Sequence, residues 1–140
     1  MKTLELDIVS AEASVFNGRA VFVSVTGEMG ELGISPGHSP LLTVLKPGQI
    51  YVKLEDGKEV VFYMSGGMLE VQPDMVSILT DTALRADDLD EAAAVAAKDR
   101  AEKILAHQKE GMEYSIALAE LAEAAAQLRA IGLLRNKLKK

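Results

Sequence analysis

His38 and Ser39 stand side by side within GEMGELGISPGHSPLL, residues 27–42, a stretch that also holds four glycines and two prolines. Residues of these types could support nucleophilic catalysis, phosphate binding on a glycine-rich loop, or shaped contact with another protein. Adjacent residues on an extended chain project in divergent directions, so His38 and Ser39 do not form a base–nucleophile pair by adjacency. No GxSxG elbow lies nearby. A phosphate cradle would need the GK[ST] end of a P-loop or a strand-to-helix GxGxxG frame, and both are missing. Glu28 and Glu31 would repel phosphate. What remains is shape: the glycines permit positive φ, while Pro36 and Pro40 brace a Pro-Gly-His-Ser-Pro corner. The stretch therefore reads as a stiff, polar, projecting loop suited to a protein contact.

Other chemistry is sparse. The second histidine, His107, is remote from the first, and neither has a ligand partner at a metal-binding spacing, so no metal site is expected. Asp87-Asp88-Leu89-Asp90 lacks the glycine and terminal glutamate of a calcium loop and reads instead as a helix N-terminus. The absence of cysteine excludes disulfides and thiolate chemistry and fits a reducing compartment. A net charge of −6 and a pI near 4.9 argue against nucleic-acid binding. Aromatic content of 4% with no tryptophan leaves few stacking platforms for bases or sugars, which argues against a carbohydrate binder. No apolar run is long enough to span a bilayer, and Met1-Lys2 leads straight into LELDIV, so a soluble chain without a leader is expected.

Two halves with different periods must position these residues. Up to Thr80 the pattern alternates: Leu4, Leu6 and Ile8 share one face, as do Val21, Val23 and Val25. IYVKL, EVVFYM, MLEV and MVSILT follow, with turn chemistry at Asn17-Gly18, Pro47-Gly48, Asp56-Gly57, Gly66-Gly67 and Pro73-Asp74. Short strands at this spacing predict an antiparallel sandwich or flattened barrel. Beyond it, Asp88 with Glu91 forms a capping-box pattern, and AAAVAAKDRAEKIL is built of strong helix formers. Gly111 interrupts, and a second helix carries Tyr114, Leu118, Leu121, Ala125, Leu128 and Ile131 at helical spacing. The fold class is thus α+β: a β-sandwich domain over 1–84 and an antiparallel two-helix hairpin over 85–140.

The expected seam of that hairpin is rich in alanine (Ala93, Ala96, Ala97, Ala117, Ala124, Ala125), with Leu89, Ile104, Leu105, Leu121 and Leu128 supplying the larger contacts. A buried methyl contributes only about 0.8 kcal/mol, so the helices are individually robust but loosely joined. Residues 81–91 carry five acids and one base; residues 129–140 carry five bases and no acid. An antiparallel return sets these clusters beside each other, each complementing its own helix dipole. A basic prong of this kind could exchange its internal pairing for an acidic patch on a partner.

GELGISPGHSPLLTVLKPG (30–48) and SGGMLEVQPDMVSILTDTALRADDLDEA (65–92), in this order and spacing, resemble the ε subunit of bacterial F-type ATP synthases. The resemblance extends from LELDIVSAE (4–12) to AELAEAAAQLR (119–129). It implies a ten-stranded β-sandwich followed by a helical hairpin, and a non-catalytic rotor subunit on the cytoplasmic face of the bacterial inner membrane, peripheral to it and held through the complex. The sandwich would bind the γ subunit on one side and meet the c-subunit ring through Glu31, Gly33 and His38. The hairpin would lie compact, or extend along γ into the α/β head and inhibit ATP hydrolysis. Arg129, Arg135 and Lys137 would then meet an acidic segment of the catalytic β subunit.

Some members of that family bind ATP at the hairpin through an I/L-D-x-x-R-A motif. This chain keeps Asp90, Arg100 and Arg129 of that site, but Ala93 and Ala125 replace two of its arginines. Without those charge-assisted contacts, ATP binding is expected to be weak or absent. A nucleotide sensor, and a structural adaptor whose hairpin never opens, are the competing readings.

Overall fold

The computed structural model describes residues 2–138, with side chains described as far as Asn136. The alternation of the first half folds as eight strands: β1 (Leu4–Ser10), β2 (Ser14–Gly27), β3 (Gly30–Ile34), β4 (Leu41–Leu54), β5 (Glu59–Met64), β6 (Gly67–Val71), β7 (Met75–Thr80) and β8 (Ala83–Arg85). They form one sheet ordered β3-β2-β1-β7-β6-β4-β5-β8, which a further pairing of β2 with β4 folds back on itself into a sandwich. Leu4, Leu6, Ile8, Val23, Val25, Ile50, Phe62, Leu69, Val71 and Ile78 fill the space between the layers. Full burial of each such side chain is worth roughly 1.5–3 kcal/mol, which makes this interior the main source of stability.

Five expectations change here. The sandwich has eight strands among the described residues rather than ten, because β2 and β4 each run 14 residues and serve both layers. β4 pairs with β6 over Leu41–Leu45 and with β5 over Gly48–Lys53. Pro47-Gly48 is thus a bend inside a strand, not a turn between two. Gly48 is needed there because a Cβ would collide with the Thr26 side chain. Asn17-Gly18 likewise lies within β2, paired to Asp7 and Leu6; the chain reverses earlier, at Ala11–Ala13. Nor is the sheet wholly antiparallel, since β1 and β7 pair in parallel. Val23 and Val25 are buried, but Val21 is not fully so: the β2–β4 register slips between Ala20 and Phe22 and takes Val21 out of phase.

The second half forms a 3-10 turn (Ala86–Asp88), then α1 (Glu91–His107) and α2 (Met112–Leu138). The cap of α1 is Asp90, whose carboxylate accepts from the Ala93 N–H at 3.1 Å. Asp88 is taken up by the 3-10 turn, so the expected capping box does not form. Gly111, at φ +97°, allows the reversal into α2, which is about 40 Å long at 1.5 Å per residue.

On α1 the hairpin seam runs through buried Ala94 and Ala101, with Ala97 and Leu105 half-buried as expected, while Ala93, Ala96 and Ile104 are exposed. On α2, Ala117 and Ala124 are buried as expected, Ala125 is half-buried, and Leu118 is 43% exposed. Leu89 serves the sandwich contact rather than the seam.

Candidate functional site

The stretch 27–42 is a composite rather than a single loop. Glu28 and Met29 make a two-residue hairpin turn, Gly30–Ile34 is the edge strand β3, and Ser35–Pro40 is a loop leading into β4. Glu31 and Gly33 share the outward face of β3, opposite Thr26 and Ser24. The Glu31 carboxylate accepts from Thr26 Oγ1 at 2.8 Å and from Ser24 Oγ at 3.1 Å, which fixes an exposed acid on the sheet edge. Thr26 Oγ1 in turn accepts from the Gln49 N–H at 3.1 Å, tying that acid to β4. At Gly33 a Cβ would stand 3.2 Å from the Phe22 ring.

His38 lies beyond the end of β3, in a loop anchored by the Gly37 N–H on the Pro73 carbonyl at 2.7 Å. Its Nδ1 is 2.8 Å from the Ser39 carbonyl oxygen, so the ring engages backbone rather than a hydroxyl. The structure thus brings Glu31 and Gly33 together and sets His38 at the strand's end. No group of three or more potential metal ligands occurs among the described residues.

The hairpin docks on the sandwich through a second cluster, separate from the interior. Ala126 and Ala130 of α2 pack on Tyr51, Val61, Tyr63 and Ala86, with Phe22, Leu89, Leu133 and Leu134 around them. The contact is thin, because the two helix residues at its centre are alanines. It also buries polar atoms: Gln49 Oε1 and the Tyr63 hydroxyl make no hydrogen bond among the described residues. The Tyr63 hydroxyl points toward Glu123 and Gln127 of α2 without reaching full hydrogen-bond geometry.

Burial raises the pKa of both tyrosines. Tyr51 is pushed up to about 12, first by desolvation and then by the hydrogen bond and charge of Glu59. Tyr63 is raised further, by desolvation and then by the charge of Glu123. Both groups stay neutral in the fold while the unfolded chain ionises near its ordinary value of about 10. Their stabilisation is therefore complete below that pH and is lost as pH rises through the folded values. The unfolding midpoint should hold level from neutrality to about pH 9.5 and fall between about pH 10 and 12. Calorimetry against pH checks this, and Tyr63→Phe should flatten the fall.

At the open end of the hairpin, Glu91 and Arg135 form a two-pronged ion pair. Arg129 is exposed and has no ion pair among the described residues. Lys137 lies in α2, but its side chain is outside the described residues. Asp90, Arg100 and Arg129 are not linked: Asp90 is spent on the helix cap, and Arg100 projects into solvent about 15 Å further along α1. The hollow beside Asp90 is lined by Glu91, Asp99, Leu89, Val95 and two alanines, an acidic surface unsuited to phosphate.

The sequence reading missed an apolar face on the other side of the sandwich. Val44, Met68 and Leu79 stand directly opposite one another across β4, β6 and β7, and all are exposed. Leu42 beside them is 66% exposed. The row ends in a hollow whose polar rim includes Ser10, Ser65, Thr80 and Asp81. Doubled apolar pairs (Leu41-Leu42, Val44-Leu45, Met68-Leu69, Ile78-Leu79) signal it, because an alternating strand with a solvated face has no use for the second member.

Comparison with known proteins gives two consecutive domain matches. Residues 3–86 match the family model for the ATP synthase delta/epsilon chain beta-sandwich domain, and residues 87–132 that of its long alpha-helix domain. An ATP synthase epsilon chain of Legionella pneumophila (strain Corby) is 55% identical over 137 residues, covering 98% of each chain. One from Stenotrophomonas maltophilia (strain K279a) is 52% identical over 139 residues, covering 99% of each. The fold also resembles a chain in a Euglena gracilis mitochondrial ATP synthase structure (OSCP/F1/c-ring, rotational state 1). That likeness has a TM-score of 0.75 at 20% identity, over 99% of this chain and 82% of that one. With both domain models matched in order and more than half of its residues shared with relatives over nearly its whole length, the chain belongs to the family of ATP synthase epsilon chains.

Proposed function

We propose that this chain is a rotor subunit of a bacterial F-type ATP synthase that couples the γ subunit to the c-subunit ring and restrains ATP hydrolysis through its hairpin. The restraint rests on one observation: the hairpin is held by a contact centred on two alanines, Ala126 and Ala130, that is separate from the sandwich interior. Such a hairpin can leave without unfolding the domain beneath it. On this reading the Val44–Met68–Leu79 face is covered by γ, since an exposed apolar patch of this extent marks a partner site. Glu31, Gly33 and His38 face the ring. On this reading the chain is held at the cytoplasmic face of the inner membrane through the complex; no helix among the described residues is long and apolar enough to cross a membrane.

Freed from the sandwich, α2 presents Arg129, Arg135 and Lys137 to acidic residues of the catalytic β subunit in the α/β head. Replacing Arg129 and Arg135 together by alanine should raise hydrolysis by the reconstituted complex about two- to tenfold and reduce its dependence on ionic strength. Unchanged hydrolysis would remove these arginines from the inhibitory contact. The acidic hollow beside Asp90, with Ala93 and Ala125 in place of arginines, favours no ATP sensing. Titrating the isolated chain with ATP should reveal no binding at micromolar concentrations; clear saturation there would reinstate the nucleotide-sensor reading.

A further inference from the structure

Four ion pairs occur among the described residues, and three of them join residues no more than four positions apart. The fourth, Glu91–Arg135, spans 44 positions and bridges the start of α1 to the last turns of α2. Arg135 donates from Nη1 to Glu91 Oε1 at 3.2 Å and from Nη2 to Oε2, a fork that matches both carboxylate oxygens. The neighbouring acids are otherwise engaged or apart: Asp90 caps α1, and Asp87 lies 3.6 Å from Arg85. The pair also sits where the two helix dipoles reinforce it, an acid at a helix N-terminus and a base near a C-terminus.

A guanidinium fork occupied by one carboxylate cannot grip a second in the same way. We propose that Glu91 is an internal competitor for Arg135, a clasp that masks the prong in the compact state and must open before Arg135 meets an external carboxylate. This inference rests on the inhibitory reading above and adds to it the residue that opposes inhibition. Both side chains are about half exposed, at 59% and 43%, so the clasp is modest and biases the hairpin without locking it. It also gives the compact state a hold of its own, in a chain whose hairpin lacks two arginines of the nucleotide site.

The test uses the full chain, which has no native cysteine and accepts a label pair at exposed Glu55 and Gln108 without background. Distance measurements on the labelled protein give the ratio of compact to extended hairpin. Glu91→Gln should lower that ratio about two- to fivefold, the effect of a half-exposed ion pair. In the reconstituted complex the same variant should deepen inhibition, because Arg135 is freed and intact. Arg135→Gln should lower the ratio equally but weaken inhibition. The exchanged pair, Glu91→Arg with Arg135→Glu, should give a higher ratio than Glu91→Arg alone, short of the parent because each charge now opposes its helix dipole, while inhibition stays weak, since an acid now occupies the prong. An unchanged ratio in Glu91→Gln, or an exchanged pair no more compact than Glu91→Arg alone, would overturn the clasp and leave the inhibitory reading standing. Unchanged hydrolysis on removal of the whole hairpin would overturn that reading instead.

Discussion

Ala130→Glu should release the hairpin from the sandwich while leaving both parts folded. Ala130 is fully buried against the cluster of Tyr51, Val61, Tyr63 and Ala126, an apolar surround into which a new carboxylate would be forced. Burying an unpaired charge there costs at least about 3 kcal/mol, which shifts the docking equilibrium on the order of a hundredfold. The sandwich interior contains no residue of α1 or α2, so its unfolding transition should change little. Both helices are built of strong helix formers, so helical circular dichroism should largely persist even where α1 and α2 part. Limited proteolysis should cut the hairpin many times faster than in the parent chain, and hydrolysis in the complex should fall. Parental proteolysis rates would mean that docking does not depend on the alanine contact.

How much of this was legible beforehand depended on what each pattern encodes. Period two and period 3.6 are direct consequences of which faces are buried, so the division into sheet and hairpin was readable from Leu4-Leu6-Ile8 and from the spacing on α2. Strand number was not readable, because proline and glycine mark bends as well as turns. Pro47-Gly48 has the chemistry of a hairpin loop, yet Gly48 makes room for Thr26 inside a single long strand. β3 was hidden for a related reason: GELGI is short, holds two glycines and lies at a sheet edge, so it showed only glycine content.

Helix phase was lost in the alanine run. Ala92-Ala93-Ala94 carries no contrast between faces, and only packing against α2 selects Ala94. The cap was ambiguous because Asp88 and Asp90 are chemically equal candidates. Burial of Ala86 and Leu89 against the sandwich delays the helix by a 3-10 turn and gives the role to Asp90. Of the candidate site residues, Glu31 and His38 are legible only as members of a polar, proline-braced stretch, and the basic tail only as a charge cluster. The match of Glu91 to Arg135 could not be read, since it depends on the register of two helices 44 positions apart.

The central claim is that a dispensable hairpin restrains hydrolysis while the sandwich alone transmits rotation. A chain ending at Ala86 keeps all eight strands and the whole interior, and loses only what packs outside it. Its exposed Tyr51, Val61 and Tyr63 will call for reconstitution at low concentration, but the faces assigned to γ and the ring are untouched. Hydrolysis and proton pumping by the complex assembled with this chain, compared with the full-length one, test the claim most directly. The account predicts hydrolysis raised severalfold with pumping preserved. Unchanged hydrolysis with pumping preserved would contradict it and make the hairpin a fixed structural element.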